Sequence, residues 1–351
     1  MSLYTNDLYL EDVGKVAGAA LPWEKLQDRA LLLSGATGLL GSFLADVLMQ
    51  KNAEGLNCTI YALGRTQKRA ETRFSKWWGD ERLVFLPYDV NRPFVRDEVG
   101  NVDYVLHLAS NTHPIQYATD PIGTITTNII GLQNMLDFAV GHCAVRFAFA
   151  SSNEIYGENR GDVELFDESY CGYIDSNTLR AGYPESKRCG EALCQAYRVQ
   201  KGLDLVIPRF TRSYGPTMLP TDSKAISQFI RKGVQGEDIV LKSAGTQNYS
   251  YSYMADAVFG LLTALLCGES GEAYNIADES SNITLKDLAQ IIADHVGRKV
   301  VFELPDAVET AGYSRATKAL LDGAKLKAIG WNPFYTIREA IPRTIDILKK
   351  L

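Results

Sequence analysis

Tyr183 and Lys187 stand four residues apart in the segment Tyr-Pro-Glu-Ser-Lys. On a helix that spacing puts both side chains on one face, so a phenol and an ammonium share one site. A nearby ammonium favours phenolate and lowers the phenol from its usual pKa of about 10. Ser152 ends the apolar segment Phe147-Ala-Phe-Ala-Ser-Ser152 and can hydrogen-bond the same substrate hydroxyl. Together the three side chains could take the proton of an alcohol while hydride leaves its carbon for a nicotinamide. With 18 tyrosines in the chain, a Tyr-x-x-x-Lys match also arises by chance as a surface helix contact. Its weight depends on the elements that would position it.

The first of these is Ala30-Leu-Leu-Leu-Ser34, an apolar run short enough for a buried parallel strand. Gly35-Ala-Thr37-Gly38-Leu39-Leu40-Gly41 follows, opening a helix over Leu39–Leu48. Glycines at a strand-to-helix turn let backbone approach a pyrophosphate, which the helix N-terminus favours electrostatically. The spacing is Gly-x-x-Gly-x-x-Gly rather than Gly-x-Gly-x-x-Gly. Further strands are expected near 58–63, 82–86, 102–107, 145–150 and 203–208, and helices near 39–51, 66–77, 117–139 and 180–201. The alternation predicts an α/β fold, a doubly wound parallel (Rossmann) sheet with a smaller C-terminal substrate-binding lobe. Residues 6–28 read as helical, giving an N-terminal extension over 1–28. A dinucleotide-binding unit with the catalytic residues is expected over 29–208, and the lobe mainly over 209–351, with crossing between them allowed. Thr211–Tyr253 reads as loop-rich, with helices returning at 256–267, 284–296 and 336–350.

Composition removes other classes. The chain has 351 residues, 46% of them hydrophobic, and a net charge of −6 without a basic block. Nucleic acid is therefore not an expected partner. No apolar stretch of about 18 residues occurs, so no membrane span is expected. The first residues lack the basic and apolar regions of a signal peptide. Six cysteines lie scattered without a Cys-x-x-Cys pair, and four histidines show no metal spacing. A reduced cytoplasm and no metal are the expectations.

Several ordered stretches carry a resemblance: His107-Leu-Ala-Ser110, Pro114-Ile-Gln-Tyr117, Asp120-Pro to Asn128-Ile-Ile-Gly131, and Tyr170-Cys-Gly-Tyr-Ile-Asp175 followed by Arg180-Ala-Gly-Tyr183. Tyr214-Gly-Pro216, Tyr253-Met-Ala-Asp256 and Gly330-Trp-Asn-Pro333 follow. With the glycine turn and the Ser152/Tyr183/Lys187 set, the chain resembles the extended short-chain dehydrogenase/reductases that modify nucleotide sugars. These are the epimerases and dehydratases, and the likeness is closest to UDP-glucuronate decarboxylases and sugar 4,6-dehydratases. The resemblance implies that Gly35, Thr37, Gly38, Leu39, Leu40 and Gly41 hold the cofactor pyrophosphate and that Asp89 and Val90 meet adenine. It implies that Leu108, Ala109 and Ser110 line the ribose and nicotinamide side, and that Asn128 supports the active-site helix from the cofactor side. Ser152, Tyr183 and Lys187 become the catalytic triad, with Tyr183 and Lys187 also touching cofactor. A homodimer pairing the helices near 117–139 and 180–201 is implied as well.

The implied reaction oxidises the sugar's carbon-4 hydroxyl, giving a 4-keto sugar that acidifies the carbon-5 proton or stabilises the carbanion left by decarboxylation. Epimerases of this group carry small residues after the triad serine, whereas here Asn153 and Glu154 follow. Glu154 is then a candidate base for carbon 5 or a partner of the reacting carboxyl. Asn153, placed at the substrate, cannot protonate a leaving hydroxyl as an aspartic acid would. Two further departures stand out. Arg212 replaces the asparagine of Arg-x-Phe-Asn-x-Tyr-Gly-Pro, and Tyr249 replaces the arginine of Gln-x-Arg. Arg212, Tyr249 and Arg315 are the candidate substrate contacts, with Lys318 the alternative to Arg315 as a second cation. Losing the arginine at Tyr249 counts against decarboxylation. Gly64 occupies the place where NAD-binding relatives end the second strand in an acid, and Arg65 follows, with Lys68 and Arg69 near. The cofactor is thus NAD(P), with Arg65 favouring NADP. The expected function is dehydratase or decarboxylase chemistry on a nucleotide-diphosphate sugar. A 4-epimerase, an NADPH-dependent 4-ketoreductase and a cofactor-sensing binding protein remain as alternatives.

Overall fold

The computed structural model describes residues 2–93, 99–112, 114–303 and 317–351. The strands of its large sheet are β1 (Ala30–Ser34), β2 (Thr59–Gly64), β3 (Leu83–Pro87), β4 (Tyr104–His107), β5 (Arg146–Phe149), β6 (Ser151–Ser152) and β7 (Leu205–Phe210). A later strand, Ala273–Ile276, joins its edge. The order runs β3-β2-β1-β4-β5-β7 and then that late strand, with β6 paired to β7. Every pairing in it is parallel. The order reverses between β1 and β4, and such a switch point opens a crevice at the carboxyl ends of the strands. β1 has Leu31, Leu32 and Leu33 fully buried. That is the pattern of a strand covered on both faces rather than one facing water.

The helices before Ser152 are α1 (Asp7–Ala17), α2 (Leu39–Ala53), α3 (Gln67–Arg73), α4 (Pro114–Thr119) and α5 (Pro121–Gly141). α6 (Gly182–Lys201) carries Tyr183 and Lys187. One helix was expected near 117–139, but the structure breaks it at Asp120. A residue before proline avoids the helical region. Asp120 instead caps α5, its carboxylate accepting from Gly123 N at 3.0 Å, and Pro121 sits at the helix start, where no amide hydrogen is needed.

The stretch read as loop-rich holds β8 (Arg212–Tyr214), α7 (Ala225–Gln235), β9 (Ile239–Leu241) and β10 (Asn248–Tyr253). In α7, Ile226, Phe229, Ile230 and Gly233 are buried at helical spacing, and Gly236 ends the helix at φ 71°. β10 is the centre of a second sheet, parallel to β8 and antiparallel to the strand Asn282–Thr284. Helices Met254–Cys267, Leu285–Val296 and Ile337–Lys349 complete the C-terminal part.

Among its described residues the N-terminal extension is helical over α1 and over short turns at Leu3–Thr5 and Trp23–Leu26. Two buried carboxylates fasten it. Asp12 accepts from the hydroxyls of Tyr253 at 2.6 Å and Tyr335 at 2.7 Å and from Arg343 Nε at 2.8 Å. Asp46, on α2, accepts from Tyr4, Tyr9, Arg73 and the Trp77 indole.

Candidate active site

A cleft of about 340 Å³ opens at the switch point, from the glycine turn after β1 to the end of β6 and the start of α6. The glycine turn explains its own composition. Gly35 has φ 72°, and a Cβ there would lie 2.8 Å from Ala109 N. A Cβ on Gly41 would lie 2.4 Å from Gly35 O. These two positions exclude larger residues and leave bare backbone at the N-terminus of α2, the cradle a pyrophosphate needs. Thr37, Gly38, Leu39 and Leu40 line the same wall. At the end beside β2 and β3 the cleft is lined by Arg65, Asp89 and Val90. Arg69, not among the expected site residues, also lines it and donates to Thr37 O at 3.0 Å. Its guanidinium is weakened by partial burial and by the Arg65 charge, a repulsion that a bound anion would relieve.

Leu108, Ala109 and Ser110 line the middle of the cleft. Asn128 stands behind them, fully buried, and does not line the cavity. It accepts from Ser110 Oγ at 2.7 Å and donates to Ser186 Oγ at 2.9 Å, tying that loop to α6.

Ser152, Asn153, Glu154, Tyr183 and Lys187 converge at the inner end. The strand does not persist to Glu154. It stops at Ser152, whose Oγ accepts from Glu154 N at 3.2 Å and caps the turn Asn153–Tyr156. Ser152 and Ser110 lie beside the Tyr183 hydroxyl in the cleft. Lys187 Nζ donates to Ala150 O at 2.7 Å and lies 6.0 Å from the Tyr183 ring centre. Burial pulls the Lys187 ammonium down to about 7. The expectation that Lys187 lowers the Tyr183 phenol is not met. Burial first, and then Glu154, push that phenol above its ordinary value, while Ser152, Arg180 and Ser110 act against them. His107 lies behind, its Nδ1 2.8 Å from Ser34 Oγ. Burial and the neighbouring Lys187 hold it down to about 3, so it stays neutral.

Glu154 is engaged by Arg180, whose Nη2 reaches its two oxygens at 2.8 and 2.7 Å. The Arg180 guanidinium lies 4.9 Å from the Tyr117 ring centre, and that ring stacks on Tyr183 at 4.8 Å. Arg180 and Tyr117 appeared above only within the resemblance, without a role. The signal for Arg180 was local, since it precedes Tyr183 by one helical turn.

Arg212 and Tyr249 are brought together across β8 and β10, the guanidinium 3.5 Å from the ring centre. Tyr249 is buried beneath Arg212 and does not line the cleft. Arg212 does line it, and its buried Nη1 has no hydrogen-bond partner among the described residues. The two departures, Arg212 and Tyr249, thus meet in a single cation–aromatic contact. Arg315 lies outside the described residues. Among the described residues no cluster of His, Cys, Asp and Glu could hold a metal, and no helix is long and apolar enough to cross a membrane.

The model of the NAD dependent epimerase/dehydratase family matches residues 31–277. The chain is 32% identical over 313 residues to UDP-glucuronic acid decarboxylase 6 of Arabidopsis thaliana, covering 89% of this chain and 86% of that protein. It is similar in structure to a dTDP-glucose 4,6-dehydratase from Streptomyces venezuelae with NAD and TYD bound, at TM-score 0.79 and 24% identity, covering 92% of this chain and 97% of that one. It is also similar to the UDP-glucuronic acid 4-epimerase from Bacillus cereus in complex with UDP-glucuronic acid and NAD, at TM-score 0.77 and 20% identity, covering 92% and 99%. At these identities the structural likeness speaks for the fold.

Proposed function

The chain belongs to the NAD-dependent epimerase/dehydratase family, and from that premise we propose an enzyme that works through a 4-keto nucleotide-diphosphate sugar. The observation that carries this is the convergence of Ser152, Tyr183 and Lys187 at the inner end of a cleft floored by bare glycine backbone. A nicotinamide dinucleotide bound along that cleft supplies a hydride acceptor and, when oxidised, a positive charge. Tyr183 takes the proton of the carbon-4 hydroxyl, and Ser152 orients that hydroxyl. Lys187 fixes the end of β5 through Ala150 O. Once carbon 4 is a ketone, electrons from a breaking carbon-5 bond can be held on its oxygen. Loss of the carbon-5 proton with a leaving hydroxyl gives dehydration, and loss of carbon dioxide gives decarboxylation. Glu154 is the carboxylate placed for that branch, and Asn153 beside it contacts substrate. Arg212, with one nitrogen unsatisfied, receives an anionic group of the nucleotide sugar. Native mass spectrometry of the purified protein tests the reading. A retained dinucleotide supports it, and a protein that takes up neither NAD nor NADP refutes it.

The same site favours NADP, because Arg65 and Arg69 crowd the adenosine end where β2 closes on Gly64 instead of an acid. Arg65→Ala should weaken NADP by roughly tenfold to a hundredfold and leave NAD nearly unchanged, the scale of one charge-assisted hydrogen bond of about 1.5–3 kcal/mol. Calorimetric titration with both dinucleotides checks this, and equal losses would refute the preference.

The assembly is a homodimer. α5 leaves Ile122 76% and Ile130 45% exposed, and Leu179 just before α6 is 73% exposed. A self-complementary two-fold contact is the commonest way to cover such a face. Light scattering at micromolar concentration should give twice the chain mass, and a monomeric mass would contradict it.

A further inference from the structure

Ser152 ends a strand of only two residues, β6, which pairs with β7. The chain turns away at once into the turn Asn153–Tyr156. So short a ladder does little to fix where a side chain at its end points, and the fixing comes from α6. Glu191 stands four residues beyond Lys187 on that helix, as Lys187 stands four beyond Tyr183, so the three share one face. Lys187 Nζ donates to Ala150 O at 2.7 Å, and Glu191 accepts from the Ser151 hydroxyl. Arg188, between them, donates from Nε to Ile155 O at 2.6 Å. α6 is thus tied to the chain on both sides of Ser152. Gly190 lets the helix lie this close, since a Cβ there would meet the Phe149 ring at 2.6 Å.

Glu191 is itself held. Arg209, on β7, is the sheet partner of Ser151. Its Nε and Nη2 donate to the two Glu191 oxygens at 3.0 and 2.7 Å, and both side chains are largely buried. A two-point contact of this kind fixes direction as well as distance. Arg209 Nη1 donates to the Tyr156 hydroxyl at 2.9 Å and to Glu168 O at 2.8 Å. The turn that Ser152 caps is therefore anchored to the same guanidinium.

We propose that Glu191, locked by Arg209, is the positioning residue that sets the reach of Ser152 to the sugar hydroxyl it shares with Tyr183. The inference rests on the roles of Ser152 and Tyr183 proposed above. Glu191 does not line the cleft. It acts through Ser151, whose hydroxyl it fixes, and so through the peptide that leads to Ser152. Tyr183 and Ser152 come from different elements, and this tie makes the end of β6 and the start of α6 one rigid body. A misplacement of about 1 Å at a reacting group can cost about a hundredfold in rate. Glu191 also favours the Lys187 ammonium through its charge, a path that the experiment separates from the one proposed.

The test reads the first hydride transfer, as absorbance of reduced nicotinamide on mixing enzyme and NAD or NADP with UDP-glucuronic acid, the probe. The parent, Glu191→Gln, Ser152→Ala, the Glu191→Gln/Ser152→Ala double variant and Ser151→Ala are compared. Glu191→Gln is nearly isosteric and should lower the rate at saturating sugar about tenfold, with the half-saturating concentration nearly unchanged. With Ser152 already replaced, the same substitution should have little further effect, because the group it positions is gone. Ser151→Ala leaves the Glu191–Arg209 pair whole. It should show a smaller loss of the same kind, and it decides the matter should Glu191→Gln fail to fold. The inference is overturned if Glu191→Gln and Ser151→Ala both match the parent. It is overturned equally if Glu191→Gln costs the same factor with and without Ser152, which would route its effect through Lys187 or through stability alone. If Ser152→Ala itself matches the parent, or if the parent oxidises none of UDP-glucuronic acid, UDP-glucose and dTDP-glucose, the reading of the site falls, and the inference with it.

Discussion

Tyr183→Phe should lower turnover about a hundredfold or more, the usual scale of a lost general base. The ring stays, so the stack on Tyr117 and the packing of α6 should survive. Only the hydroxyl, which faces Ser152 and Ser110, is removed. Binding of dinucleotide and nucleotide sugar should therefore change little while the first hydride transfer slows, an effect on kcat rather than on KM. Steady-state kinetics beside a denaturation curve measure both. Near-normal turnover in a folded variant would remove Tyr183 from its role.

The second large effect falls on stability. Asp46 is almost fully buried and holds Arg73 Nη2 at 2.6 Å, together with Tyr4, Tyr9 and Trp77. Asp46→Ala leaves the Arg73 charge buried among partners that can no longer satisfy it. Breaking one side of a buried pair costs about 3–5 kcal/mol. The denaturant midpoint should fall accordingly with little change in slope. Asp46→Asn, which keeps hydrogen-bond acceptance but not charge, should fall between the two. A loss below about 1 kcal/mol for the alanine variant would show that the network is not what fastens the N-terminal segment.

Much of the scaffold is legible in local sequence because local physics dictates it. Three buried leucines followed by Gly35 at positive φ mark β1 and its turn. The four-residue spacing of Tyr183 and Lys187 places them on one face of α6, as the structure has it. What is not legible depends on contacts between distant segments. Arg180 meets Glu154 from 26 residues away, and no local pattern says which carboxylate an arginine will find. The simple picture of one lysine beside one tyrosine therefore misses the Arg180–Glu154 pair. The Arg212–Tyr249 contact needs β8 and β10 side by side. Two departures that look separate in sequence are thus in contact in space. α7 is a different case, since its apolar positions are helically spaced. The turn residues on either side of it hid the pattern.

The central claim is that a sugar is oxidised and reduced again on one enzyme, with carbon 5 opened in between. One single-turnover measurement addresses it. The protein is mixed with NAD or NADP and UDP-glucuronic acid, or with dTDP-glucose, in heavy water. Absorbance of the reduced nicotinamide is followed, and the product is analysed for deuterium. The account predicts absorbance that rises and falls without net consumption of cofactor, and a product carrying solvent deuterium at carbon 5. Turnover without deuterium at carbon 5 would contradict it and leave 4-epimerisation, and one reduced cofactor consumed per product would leave a 4-ketoreductase.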